Sequence, residues 1–166
     1  MLCLRTILAG VLAVPLGLAA QGNGSKEAPS AYSVSSPMKR MVVIRLKNKT
    51  DMLEGIREVV AREKIKNAVI VSGFGSVTKY HIHVVANTTF PPVDTFTKGE
   101  GAFDLVGVSG MIIGGRVHAH ITLAATDKMT GGHLEPGTSV FTFANITLGV
   151  LDDSADLSRI DDYTWH

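Results

Sequence analysis

GRVHAHITLAATDKMTGGHL, residues 115–134, carries three of the six histidines in the chain, on two strands joined by a turn. The first half alternates in character. Along an extended strand, Arg116, His118, His120 and Thr122 share one face, while Val117, Ala119, Ile121 and Leu123 share the other. The apolar set packs inward. That leaves two imidazoles about 7 Å apart at Cα, a separation from which both reach one ion.

The second half turns back. A two-residue turn at Asp127-Lys128 pairs Thr126 with Met129, Ala124 with Gly131 and Thr122 with His133. His133 then lies on the face of His118 and His120, diagonal to His120 and within side-chain reach. A four-residue loop from Thr126 to Met129 preserves that register, whereas an odd-length loop sends His133 to the opposite face and ends the metal reading. Gly131 and Gly132 leave the strand bare just before the histidine, where a ligand or another backbone can approach closely.

Two readings of these histidines stand: a metal centre, or polar residues on a wet strand face. In the first, three neutral imidazoles leave a fourth position on zinc open, the arrangement in which the metal lowers the pKa of bound water. Glu135 shares the face of His133 two residues on, either as a fourth ligand or proton-transfer group or as a surface carboxylate before the Pro136-Gly137 turn, the reading the sequence favours. Arg116 is placed to orient an anionic ligand beside the metal. A second alternating pair, His81 and His83, lines the same cavity across the sheet or a neighbouring subunit, or else, as the sequence favours, an exposed strand face. The cupin pattern fails, because the positions where cupins place a glutamate after the paired histidines are Ala124 and Ala125.

Towards the N-terminus, KRMVVIRLKNK reads as a short strand, and TDMLEGIREVVAREK as an amphipathic helix. Asp51 and Glu54 form its N-terminal capping pair, and Met52, Leu53, Ile56, Val59 and Val60 fall on one face. NAVIVSGFGSVTKYHIHVVAN gives two strands separated by the flexible SGFGS at 72–76, followed by a loop with Pro91-Pro92, Gly99 and Gly101. FDLVGVSGMII, the hairpin quoted above and SVFTFANITLGVL complete the strands. One helix and about seven strands make an α+β domain with a largely antiparallel sheet over residues 38–151.

The chain has 166 residues, 45% of them hydrophobic, enough for one sizeable core and so one domain. MLCLRTILAGVLAVPLGLAA, residues 1–20, has the charge, apolar core and small-residue end of a secretory signal peptide, which predicts a secreted or extracytoplasmic protein without a membrane anchor after cleavage. The alternative is an uncleaved membrane anchor, against which Pro15 and Gly17 interrupt a run that barely reaches spanning length. Residues 21–37 read as a flexible linker, and residues 152–166 as an acidic, loosely docked tail. Without the leader, which holds Cys3 and Arg5, the chain keeps no cysteine and 15 basic residues against 15 acidic ones. A metal must then be held by histidine and carboxylate, with zinc first and nickel, cobalt or iron behind it. The lack of excess positive charge argues against nucleic acid as a partner. Asn23, Asn48, Asn87 and Asn145 stand in N-x-S/T sequons, which matter only in a eukaryotic secretory route.

Five segments in order, VVIRLKN before a helix, SGFGS, LVGVSGMII, GRVHAHITLA and GGHLEPGTSVFTFANITL, resemble the PPC domain, the plant and prokaryote conserved domain, over residues 39–151. The resemblance implies a seven-stranded α+β domain assembled as a homotrimer. Plant members carry an Arg-Gly-Arg-Pro AT-hook ahead of this domain, and no Arg-Gly-Arg occurs here. The paired histidines followed by Gly-Gly-His are also similar to acetolactate decarboxylase, whose three zinc ligands would fall on His118, His120 and His133. The expectation is a secreted protein with a three-histidine zinc site that binds or hydrolyses a small molecule. The alternative is a non-catalytic trimeric assembly module, DNA-associated by family analogy alone.

Overall fold

The computed structural model describes residues 29–165. The leader expected at 1–20 and residues 21–28 of the expected linker lie outside them. The elements run β1 (Met38–Lys47), α1 (Met52–Arg62), β2 (Ala68–Val85), β3 (Asp94–Ile113), β4 (Arg116–Ala124), β5 (Met129–Leu134) and β6 (Ser139–Leu151). They form one antiparallel sheet in the order β1-β6-β2-β3-β4-β5, and β5 returns to pair with β2. Strands β2 to β5 therefore close on one another, while β6 and β1 continue the sheet from the first half of β2.

Among the described residues six strands stand in place of the expected seven, because β2 continues unbroken through SGFGS. Its ladder with β6 shifts register between Ile70 and Ser72 and again between Gly75 and Val77. Gly75 makes the second shift possible: its φ is +150°, and a Cβ there would stand 2.1 Å from the Phe143 carbonyl oxygen. The strand bends inside the sheet instead of leaving it. The loop expected across 91–101 is likewise shorter, since Gly99 and Gly101 lie within β3.

Helix α1 begins where the capping pair predicts. Asp51 accepts the Glu54 backbone N–H at 3.1 Å through Oδ1 and the Gly137 N–H at 2.6 Å through Oδ2. One carboxylate thus ties the helix start to the turn after Glu135. The Glu54 side chain does not complete the capping box; it pairs with Arg57 at 2.6 Å. Met52, Leu53, Ile56, Val59 and Val60 are all buried, as their helical spacing requires. They meet the inward set of β4, Val117, Ala119, Ile121 and Leu123, and the alternating residues Ala144, Ile146, Leu148 and Val150 of β6. Each large aliphatic side chain buried this way contributes roughly 1.5–3 kcal/mol.

The tail is fastened more firmly than its composition suggests. Ala155 and Leu157 are buried beside Ile113 in a second small core, with Val34, Met111 and Leu151 packed against it. Buried Asn67 donates from Nδ2 to the Ala155 carbonyl at 2.8 Å. Further on, the Arg159 guanidinium lies 5.1 Å from the Tyr32 ring centre and 5.0 Å from that of Trp165. No helix among the described residues is long and apolar enough to cross a membrane.

Candidate metal centre

The β4–β5 hairpin turns one position earlier than the sequence predicts. Ala124 pairs with Met129, Thr122 with Gly131 and His120 with His133. The four-residue loop 125–128 is closed by the Ala125 N–H donating to the Lys128 carbonyl at 2.8 Å. The register differs by two residues from the expected one, so the faces are unchanged: His133 stands directly opposite His120 instead of diagonal to it. On its other edge β5 meets β2, where His83 pairs with His133 and Ile82 with Leu134. Gly132 lets that backbone approach, since a Cβ there would lie 2.5 Å from the His83 carbonyl oxygen.

Four imidazoles gather on this face. His118 and His120 bring their Nε2 atoms to 3.2 Å. Ligands about 2.05 Å from a tetrahedral zinc are separated by about 3.3 Å, so this pair already has the spacing a shared ion requires. His133 lies edge-on to both, with ring centres 4.7 Å from His118 and 5.2 Å from His120. One ligand atom from each of the three lies within 4.8 Å of the others, so the group could hold a metal ion.

Protonation favours the same chemistry. Burial lowers the pKa of His133 to about 4, with repulsion from His118, His83 and His120 adding to it and Glu135 opposing. His120 is lowered by burial first and then by His118 and His83. Both rings are neutral near pH 7 and keep a lone pair for a metal. His118 places Nδ1 2.8 Å from Asp161 Oδ1. Donating Nδ1–H to that carboxylate leaves its Nε2 as the free lone pair.

His83 and Glu135 depart from the readings favoured by the sequence. The His83 side chain is 19% exposed and does not sit on an open strand face; its Nδ1 is 2.7 Å from Glu135 Oε1. Glu135, 21% exposed, is therefore the partner of a site histidine and not a free surface carboxylate. His83, His133 and Glu135 form a second group with ligand atoms within 4.8 Å, and His133 is common to both groups. His81 turns to structure, donating Nδ1–H to the Pro136 carbonyl at 2.8 Å. Arg116 is 65% exposed, with a nitrogen 2.6 Å from Asp161 Oδ2. Asp161 has no mark in the sequence, because an isolated aspartate in an acidic tail carries no spacing signal. Beside the cluster lies a cleft of about 270 Å³, lined among others by Leu53, Arg57, Arg116, His118, His133 and Glu135.

Residues 33–152 match the Plants and Prokaryotes Conserved (PCC) domain, and the chain belongs to that family. Among solved structures it is similar to a metal-containing protein from Archaeoglobus fulgidus, at 20% identity over 75% of this chain and 89% of that one, with a TM-score of 0.64. A plant- and prokaryote-conserved protein from Pyrococcus horikoshii is 21% identical over 76% of this chain and 85% of that one, with a TM-score of 0.56. A protein provisionally designated DNA-binding from Bacteroides thetaiotaomicron is 13% identical over 70% of this chain and 83% of that one, with a TM-score of 0.60. At these identities the likeness is one of fold. Comparison with curated proteins gives no match.

Proposed function

We propose that this is a secreted PCC-domain protein whose His118, His120 and His133 hold a zinc ion that serves a small-molecule ligand, a carboxylate or an ester. The observation that carries the reading is the 3.2 Å approach of the His118 and His120 Nε2 atoms, with His133 opposite them on the next strand. Without a metal one Nε2–H can donate to the other at this distance; with both lone pairs free, the same spacing suits a cation shared between them. The donor set, imidazole with carboxylate and no thiolate, suits zinc first. The Archaeoglobus protein described as metal-containing supports a metal in this fold without specifying which.

Zinc supplies Lewis acidity to polarise a carbonyl or activate water. The chain's own groups supply the rest. Arg116 and Arg57 border the cleft, paired with Asp161 and Glu54, and an anionic ligand would have to draw them from these partners, while Leu53 gives it an apolar wall. Glu135, held by His83 at 2.7 Å, is poised to take a proton from a group in the cleft and share it with the imidazole. Charge balance in the chain without its leader argues against nucleic acid. Self-association as a homotrimer belongs to the same proposal: Val71, Phe74, Val106 and Phe141 are about half exposed, and Phe74, Val106 and Phe141 line an apolar hollow of about 840 Å³. A surface of that kind suits protein more than water.

Thermal denaturation tests the metal reading. Zinc at a hundred times its Kd should stabilise the protein by about 2.7 kcal/mol, and a chelator should reverse the gain. His118→Ala and His133→Ala should remove the response. An equal zinc response in both variants would contradict the assignment.

A further inference from the structure

The family domain ends at residue 152, yet a carboxylate from beyond it enters the histidine cluster. Asp161 gives Oδ1 to His118 Nδ1 at 2.8 Å and Oδ2 to Arg116 at 2.6 Å. Its side chain is 22% exposed, against 65% for Arg116. The segment that delivers it is anchored on both sides. Ala155 and Leu157 are buried before it, and after it Trp165 closes on Tyr32 at 6.0 Å with Arg159 across both rings.

We propose that Asp161 is a positioning residue for the metal centre, and that docking of residues 153–165 and loading of the metal strengthen one another. The inference rests on the three-histidine reading. An imidazole whose Nδ1–H is held by a carboxylate keeps its Nε2 free, aimed and more basic, and losing such a partner costs typically 10–100-fold in metal affinity. The coupling is reciprocal: if a docked Asp161 tightens the metal, the metal must tighten the docked tail by the same factor. The ion pair with Arg116 alone gives no such coupling, because a pair with so exposed a partner adds little. The chain thereby carries a segment outside its family domain that senses whether the centre is filled.

The test uses the full chain, zinc as the probe, and three readouts. By chelator competition, Asp161→Ala should bind zinc 10–100-fold more weakly, and Asp161→Glu should restore much of the loss. Trypsin cleavage after Arg159, followed by mass spectrometry, should be slowed by zinc in the unaltered protein and be indifferent to zinc in Asp161→Ala. The melting temperature of the metal-free variant checks that the domain still folds. If Asp161→Ala binds zinc as tightly as the unaltered chain, or if zinc slows cleavage equally in both, the positioning role is overturned while the three-histidine site stands. If the unaltered chain takes up no zinc, both fall together.

Discussion

His83 and His133 occupy directly opposite positions on β2 and β5, and their rings stack with centres 4.4 Å apart. This pairing joins two histidine motifs 50 residues apart in the chain. It also presses the Glu135 partner of His83 against the same face as His118 and His120. The histidine cluster is therefore built on three strands, and its third strand arrives by closure of the sheet.

His83 should tune the metal without being required for it. His83→Ala leaves one metal per chain but weakens binding by about tenfold, because Glu135 loses its partner and His133 its stacking support. His133→Ala, by contrast, should abolish uptake. Competition with a chelator of known affinity distinguishes the two, and equal losses would place His83 among the ligands.

Gly132→Ala should injure fold and site together. The added Cβ would stand 2.5 Å from the His83 carbonyl oxygen, so β5 must move away from β2. Overpacking of this kind costs about 1–3 kcal/mol. The urea midpoint should fall accordingly, with zinc affinity falling beside it.

Acid should weaken the metal-free protein between about pH 6.5 and about pH 4. His133 is lowered from 6.5 to about 4 in the folded state, so in that window the unfolded chain binds a proton that the folded chain refuses. Its contribution is complete above the upper value and is lost as pH falls; His120 acts in the same direction. Asp152, Asp156 and Asp162 are lowered mainly by hydrogen bonds from Ser154, Ser158 and Thr164, and they titrate only below 3.8. Denaturation midpoints at pH 7.5 and 5 should therefore differ less in His133→Gln than in the unaltered protein. An undiminished difference would show that His133 is not the source.

Asp51→Ala should cost about 2 kcal/mol. Its two oxygens serve different N–H groups, at the start of α1 and at Gly137, so the loss combines a helix cap with a turn bond. Chemical denaturation reads it directly, and a change below about 0.5 kcal/mol, typical of a plain surface substitution, would show that neither bond matters.

The shared histidine face is legible in the sequence because strand alternation is strict. The face shared by His118, His120 and His133 follows from period two and loop parity, and it survives a register that differs by two residues. The helix was legible from its cap and its apolar spacing. Strand number was not, since SGFGS reads as a break in sequence and acts as a bend in the sheet. The place of His83 is one of two readings open in the sequence, though not the favoured one, and that of Asp161 is not legible at all. The first depends on β5 returning to β2, the second on a tail whose docking is set by Ala155, Leu157 and Arg159 packing onto distant partners. Both are long-range events without a local pattern.

Elemental analysis of the purified protein beside His118→Ala and His133→Ala decides whether the three histidines hold a metal. The expected result is about one zinc per chain, lost in both variants while the domain stays folded. A folded unaltered protein that binds no metal, or variants that keep it, would contradict the three-histidine centre.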